Sequence, residues 1–146
     1  MQMIILITGA QGFVGSILSD ALLAQGHHVI ALGRSAEASR PHENYTYLSA
    51  DTTLAGEWTS SLQDVDVVIN LAGKSIFSRW SAKTKQQIYD SRILTTRNVV
   101  AHLPSHKPLT LLSASGVGFY GDRNGDELTE DEPAGNDYLA TMSVDW

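Results

Sequence analysis

The apolar run Ile4-Ile5-Leu6-Ile7-Thr8 leads without a break into Gly9-Ala10-Gln11-Gly12-Phe13-Val14-Gly15, and this junction constrains the chain more than any other part of it. Such a run is expected of a strand buried on both faces of a parallel sheet. An amphipathic segment follows, so the order is strand, glycine turn, helix. That combination builds a pyrophosphate site: Gly9 permits a sharp turn, Gly12 lets the backbone approach the phosphates, and Gly15 lets helix and strand pack closely. The helix start adds unpaired N–H groups and the positive end of its dipole. The spacing is GxxGxxG in the context that a nucleotide site requires.

Downstream, apolar and polar segments alternate. The expected strands are Met3–Thr8, His28–Leu32, Tyr45–Leu48, Val65–Leu71 and Leu109–Ser113. Helices are expected from about Gly12 to Gln25, with Val14, Ile17, Leu18, Ala21 and Leu22 as the buried face. A short helix is expected within Leu54–Leu62. A long helix is expected over Ser81–Leu103, with Tyr89, Ile93, Thr96, Val100 and Leu103 along one stripe. Arg34–Asn44 reads as a loop or frayed helix, Gly116–Asn136 as a loop with a solvated acidic run at Asp126–Glu132, and Tyr138 as the start of another helix. This alternation predicts an α/β, Rossmann-like, doubly wound parallel sheet of strand order 3-2-1-4-5. Its ligand crevice should open at the carboxyl ends of the first and fourth strands. Residues 1–146 read as one NAD(P)-binding Rossmann-like domain. Because the sequence stops inside a helical pattern, it is expected to be a fragment whose remaining strands and substrate-binding part are missing.

Composition narrows the chemistry. The 146 residues carry a formal net charge of −6 and no cysteine. The ten basic residues are scattered, without the patch or stripe of a nucleic-acid binder. Absent cysteine removes disulfides, thiol nucleophiles and Cys-based zinc sites. No apolar run approaches the ~18 residues of a membrane span, and the chain opens directly in a strand with no basic leader, so a cytoplasmic protein is expected. The expected partner is a small-molecule substrate, with no nucleic acid and no membrane. Monomer and homodimer both stay open.

Several positions carry candidate chemistry. After the second strand comes Leu32-Gly33-Arg34-Ser35, with no acid before Glu37. A carboxylate there would bind a ribose 2′-hydroxyl; an arginine suits a 2′-phosphate instead, and Ser35 can add a hydroxyl. NADP is therefore favoured, with NAD as the alternative. Asp51 follows the third strand, where it is either an adenine contact or a turn aspartate. Leu71, Ala72 and Gly73 close the fourth strand with small residues suited to a nearby ribose. Gly73-Lys74-Ser75 resembles the end of a P-loop, but Val68 stands where its first glycine belongs. Ser115 follows the fifth strand and can hydrogen-bond a substrate oxygen. Tyr138 could act as a general acid/base if a cation lowered its pKa, but the position one turn later is Met142. His27 and His28 read as solvated turn residues, His42, His102 and His106 lack metal-ligand spacing, and Trp80 and Tyr89 read as core.

Thr8–Gly15, Asn70–Lys74, Arg79-Trp80, Asp90–Arg92 with Thr95–Arg97, Ser113–Asp122, and Asp137–Ala140 through Asp145-Trp146 together resemble the extended short-chain dehydrogenase/reductases. This is the NAD-dependent epimerase/dehydratase family, and the narrower resemblance is to its sugar-nucleotide-epimerase-like subgroup. Members are about twice this length. The resemblance implies NADP binding through Gly9, Gly12, Gly15 and Arg34, and places Ser115 at the catalytic serine position. The subgroup often lacks the Tyr-x-x-x-Lys pair, and this chain lacks its lysine. The full candidate cofactor set is Gly9, Gln11, Gly12, Phe13, Val14, Gly15, Arg34, Asp51, Leu71, Ala72 and Gly73; the catalytic candidates are Ser115 and Tyr138; no metal ligand is expected. Two readings stay open. One is an NADP-dependent oxidoreductase or epimerase acting on a sugar-nucleotide-like or carbonyl substrate. The other is a catalytically degenerate nucleotide-binding sensor or regulator.

Overall fold

The structure is a computed structural model that describes residues 2–37 and 40–146. Five strands, β1 (Ile4–Thr8), β2 (His28–Gly33), β3 (Tyr45–Ser49), β4 (Val67–Asn70) and β5 (Thr110–Ser113), form one sheet in the order β3-β2-β1-β4-β5. Every pairing is parallel. The helices are α1 (Phe13–Ala24), α2 (Ala82–Ala101) and α3 (Tyr138–Asp145). The expected doubly wound order is the observed one. Pro104 follows α2 closely, and Gly26, at φ +80°, follows α1, so both helices stop where backbone chemistry stops them. No helix among the described residues is long and apolar enough to cross a membrane.

The chain divides into two compact units, Met1–Ser113 and Ala114–Trp146. In the first, the two-residue period of β1 splits the core between the sheet's faces. Ile5 and Ile7 join Leu23, Val29, Ala31 and Tyr45 beneath α1, with Leu18 and Leu22 packed against them. Leu6 points the other way, to Leu32, Trp58, Leu62, Val65, Val68 and Val99, under α2 and a 3-10 turn at Glu57–Leu62. The second unit holds a 3-10 turn at Val117–Tyr120 and α3. There Arg123 donates from Nε to Tyr120 O (3.0 Å) and from Nη2 to Pro133 O (2.7 Å), closing the acidic loop on itself. The acids of the Asp126–Glu132 run are exposed, as expected.

Four details depart from the expectations. In α1 the buried positions are Gly15, Ser19 and Leu23, while Val14 (57%) and Ile17 (61%) are exposed. Close helix–strand contact selects the small residues, so the buried face is rotated from the apolar stripe. In α2 the buried positions are Ile88, Ile93, Thr95 and Val99, and Val100 faces solvent. Trp80 is 41% exposed, stacked near Lys85 Nζ (5.5 Å) with its indole N–H on Ile76 O, and so lies outside the core. His27 is buried, its Nδ1 accepting the Met3 amide (3.2 Å), and His28 Nε2 pairs with Thr46 Oγ1 (2.9 Å); neither is a solvated turn residue. Of the two readings of Arg34–Asn44, the loop is the observed one over Arg34–Glu37 and Arg40–Asn44, residues 38 and 39 of that segment lying outside the described residues.

Candidate functional site

The site begins where β1 ends. Gly9 takes φ +69°, a left-handed conformation that costs other residues about 1–2 kcal/mol. A Cβ there would lie 3.0 Å from Leu71 O and 3.1 Å from Ala72 Cα, so the ends of β1 and β4 fit together only around a glycine. The Gly12 amide closes the turn on Gly9 O (2.9 Å). Helix α1 then starts with Gly12 as N-cap, with no side-chain cap and no acid in its first turn. Its first-turn amides have no intrahelical acceptors, and the dipole end is left for an anion from outside the chain.

Beneath that turn, buried Thr8 and Asn70 tie three strands to α2. Thr8 Oγ1 donates to Asn70 Oδ1 (2.6 Å) and accepts the amides of Leu71 and Ala72 (both 3.1 Å). Asn70 Nδ2 donates to Thr96 Oγ1 (2.8 Å) and Ser113 Oγ (3.2 Å). Helix α2 holds two further loops with polar side chains. Ser91 Oγ accepts the Lys74 amide (2.9 Å), and Arg92 Nη1 donates to Lys74 O (3.0 Å). Thr95 and Thr52 share a buried hydroxyl pair (2.8 Å), and Asn98 Nδ2 donates to Thr52 O (3.0 Å).

These loops enclose a cleft of about 300 Å³ over the carboxyl ends of β1, β2, β3 and β4. Gly9, Gln11, Gly12, Arg34, Asp51, Leu71, Ala72 and Gly73 of the candidate cofactor set line it, as does Ser35. Phe13, Val14 and Gly15 do not: Phe13 and Val14 are exposed on the first turn of α1, and Gly15 is buried under it. Arg34 is exposed and belongs to neither the Arg40–Asp20 nor the Lys107–Asp66 ion pair. Asp51 Oδ1 accepts the Thr53 amide (3.0 Å) and hydroxyl (2.7 Å). It is therefore a turn aspartate whose Oδ2 accepts no hydrogen bond from the described residues, and the two readings of it are compatible. Thr52, Thr53, Lys74, Ser91 and Thr95 also line the cleft and are outside the candidate set, Lys74 being weighed only as part of a failed P-loop pattern. The legible signal was the hydroxyl pair Ser91 and Thr95, four apart and so on one face of α2.

Ser115 and Tyr138 belong to the second unit. Ser115 is exposed. Tyr138 is the first residue of α3, whose N-cap Asp137 accepts the Ala140 amide (2.9 Å). Met142, one turn beyond Tyr138, is buried. Among the described residues no group of three His, Cys, Asp or Glu could hold a metal ion.

Comparison with known proteins agrees with this geometry. Residues 5–143 match the NAD dependent epimerase/dehydratase family. The epimerase family protein YfhF of Bacillus subtilis is 41% identical, over 97% of this chain and 47% of its own length. A nucleoside-diphosphate sugar epimerase structure from Corynebacterium glutamicum is 34% identical with TM-score 0.76, over 100% of this chain and 30% of that one. A UDP-glucuronic acid 4-epimerase from Bacillus cereus, in complex with UDP-glucuronic acid and NAD, is 25% identical with TM-score 0.80, over 98% of this chain and 49% of that one. The chain spans about half the length of the curated relatives it matches.

Proposed function

Because this chain belongs to the NAD-dependent epimerase/dehydratase family, we propose that it binds NADP(H) and serves hydride-transfer chemistry, of oxidoreductase or epimerase type, on a sugar-nucleotide-like or carbonyl substrate. The observation that carries the reading is the uncapped glycine turn at the mouth of a cleft lined by Arg34. A nicotinamide cofactor would supply the hydride exchange, and the chain's part is to bind, orient and handle protons. The residues present fit such a group: Gly9 and Gly12 line the cleft with backbone alone, and the first-turn amides of α1 have no acceptor within the helix. The turn from Gly9 to Gly15, with Gln11, Phe13 and Val14, would hold the diphosphate. Leu71, Ala72 and Gly73 would face a ribose, and Asp51 Oδ2 an adenine amino group.

The choice of NADP over NAD rests on Arg34, which follows β2 directly where a carboxylate would repel a 2′-phosphate. A guanidinium can bind such a phosphate with two parallel hydrogen bonds. Sugar nucleotides are the favoured substrate class because they appear in the descriptions of the corynebacterial and Bacillus cereus neighbours. Ser115 and Tyr138 are the proposed proton-handling pair. Residues 1–146 are read as the NAD(P)-binding part, and relatives of twice the length carry as much chain again, the candidate location of substrate-binding residues. A cytoplasmic setting belongs to the same reading.

Buried Met142 favours a second reading, a nucleotide-binding sensor without turnover, because the side chain one helical turn after Tyr138 is uncharged and cannot assist proton transfer. Titration with NADPH and NADH, followed by turnover assays with nucleotide-sugar and carbonyl substrates, separates the two. Arg34→Asp should weaken NADPH about 10- to 100-fold, the size of a lost charged contact, and leave NADH nearly unchanged. Equal weakening of both dinucleotides would refute the 2′-phosphate assignment.

A further inference from the structure

The segment that carries Arg34 is held from two directions. Tyr47, on β3, has its phenol oxygen 2.8 Å from Ser35 O and 3.1 Å from Gln11 Oε1. A phenol has one proton, so the two acceptors share it, with the closer Ser35 carbonyl taking the larger part. Gln11, inside the glycine turn, donates from Nε2 to Glu37 O (3.2 Å). The carbonyls at both ends of Ser35–Glu37 are thus tied, one to the third strand and one to the diphosphate turn. Gly33 completes the arrangement: a Cβ there would lie 3.0 Å from both Gln11 Oε1 and the Tyr47 hydroxyl, so the two side chains meet directly over the end of β2. Burial, with Tyr45 as the second cause, raises the phenol above its ordinary pKa and keeps it a donor at neutral pH.

We infer that Tyr47 and Gln11 are positioning residues for dinucleotide choice: they fix the Ser35–Glu37 backbone, and with it Arg34, where a ribose 2′-phosphate arrives. The inference rests on the NADP reading above and deepens it. Neither residue needs to touch the phosphate. Arg34 is exposed and makes neither ion pair, so its reach depends on the backbone that carries it. A long side chain on an untied loop would lose conformational entropy on meeting the phosphate, whereas a tied one has lost part of it already. Gln11 also joins the two phosphate subsites through a single side chain, so a change at the diphosphate turn reaches the 2′ position.

The test is fluorescence titration of the protein with NADPH and with NADH, in wild type, Tyr47→Phe, Gln11→Ala, Arg34→Gln and the double variant Tyr47→Phe/Arg34→Gln. Tyr47→Phe keeps the ring and removes only the hydroxyl. The NADPH-over-NADH preference should fall about three- to tenfold in Tyr47→Phe and in Gln11→Ala, the scale of one neutral hydrogen bond. NADH affinity of Tyr47→Phe should stay within twofold of wild type. In the Arg34→Gln background, Tyr47→Phe should change the preference no further, because the positioned group is gone. Equal loss of both dinucleotides in Tyr47→Phe would make the phenol a structural group and overturn the inference, as would an undiminished effect without Arg34. If wild type prefers NADPH through Arg34 and Tyr47→Phe leaves the preference intact, this inference alone falls. If wild type binds neither dinucleotide, the NADP reading falls with it.

Discussion

Gly15→Ala tests the contact on which the whole turn depends. Gly15 lies in α1, and a Cβ on it would come 2.4 Å from Gly9 O, 2.8 Å from Ala10 Cα and 3.0 Å from Ala10 C. A carbon usually approaches a carbonyl oxygen no closer than ~3.3 Å, so the first contact is short by about 1 Å. All three atoms are backbone of the turn leaving β1, so no side chain can swing aside. The helix must move, and Leu18, Leu22 and Leu23 move with it off Ile5 and Ile7. Overpacking of this kind costs about 1–3 kcal/mol. Alanine returns at most about 1 kcal/mol of helix propensity, and less in a first turn. The net expectation is a loss of about 1–2 kcal/mol in urea unfolding. The functional effect should be larger, because a displacement of ~1 Å can cost about 10²-fold where geometry decides; NADPH affinity should fall at least tenfold. Gly26→Ala is the control, since at φ +80° it has no atom within 4 Å of its Cβ. It should lose about 1–2 kcal/mol through backbone strain alone and bind NADPH unchanged. A Gly15→Ala protein with wild-type stability and affinity would refute the packing argument, and so would a Gly26→Ala protein that binds NADPH as weakly.

Two further outcomes follow from the same structure. Thr8→Val keeps the β-branched shape but orphans buried Asn70 Oδ1 and the part-buried Ala72 amide; at about 1–3 kcal/mol for the buried group, urea unfolding should show a loss of at least ~1 kcal/mol, while Thr8→Ser should retain most of the wild-type stability. The raised Tyr47 pKa stabilises the fold through the neutral phenol, so its contribution is fully present below the ordinary tyrosine value of about 10 and is lost as pH climbs through the raised one. Melting temperatures taken from pH 9 to 12 should therefore fall more steeply in wild type than in Tyr47→Phe, and parallel curves would contradict the shift.

Strand existence and order were legible because a buried parallel strand leaves a plain mark. Ile4–Thr8, Val67–Asn70 and the turn between β1 and α1 have few other ways to be buried or to turn. The cleft's glycines, Arg34 and Asp51 were legible for the same reason: each sits directly at a strand end, and in a doubly wound sheet strand ends are where ligands go. Less legible was everything that reaches the cleft from the side. Ser91, Arg92, Thr95 and Asn98 act through hydrogen bonds to loops at Lys74 and Thr52, 17 to 46 positions away in sequence, and no local pattern encodes such partners. His27 was misplaced for a related reason, since its acceptor role depends on Met3 across the β1–β2 pairing.

The facing of the helices shows which force decides when two are in conflict. Helix α1 offers an apolar stripe at Val14, Ile17 and Ala21, and beside it a line of small residues at Gly15 and Ser19. Burying the first would gain more transfer free energy per residue, at about 25 cal/mol per Å². Burying the second brings the helix axis close enough for Gly15 to lie against Gly9, and the buried Ser19 hydroxyl is satisfied within the helix by Gly15 O (2.7 Å). The structure takes the second, and Val14 and Ile17 stay in solvent. Leu18, Leu22 and Leu23 still supply the apolar contact, so close approach costs only the exposure of the outer stripe. Helix α2 resolves the same conflict in the same direction, burying Thr95 on Thr52 while Val100 remains outside. In both helices the geometry of the loops over the cleft outranks hydrophobic periodicity, as expected where backbone placement within ~1 Å sets what the cleft can hold.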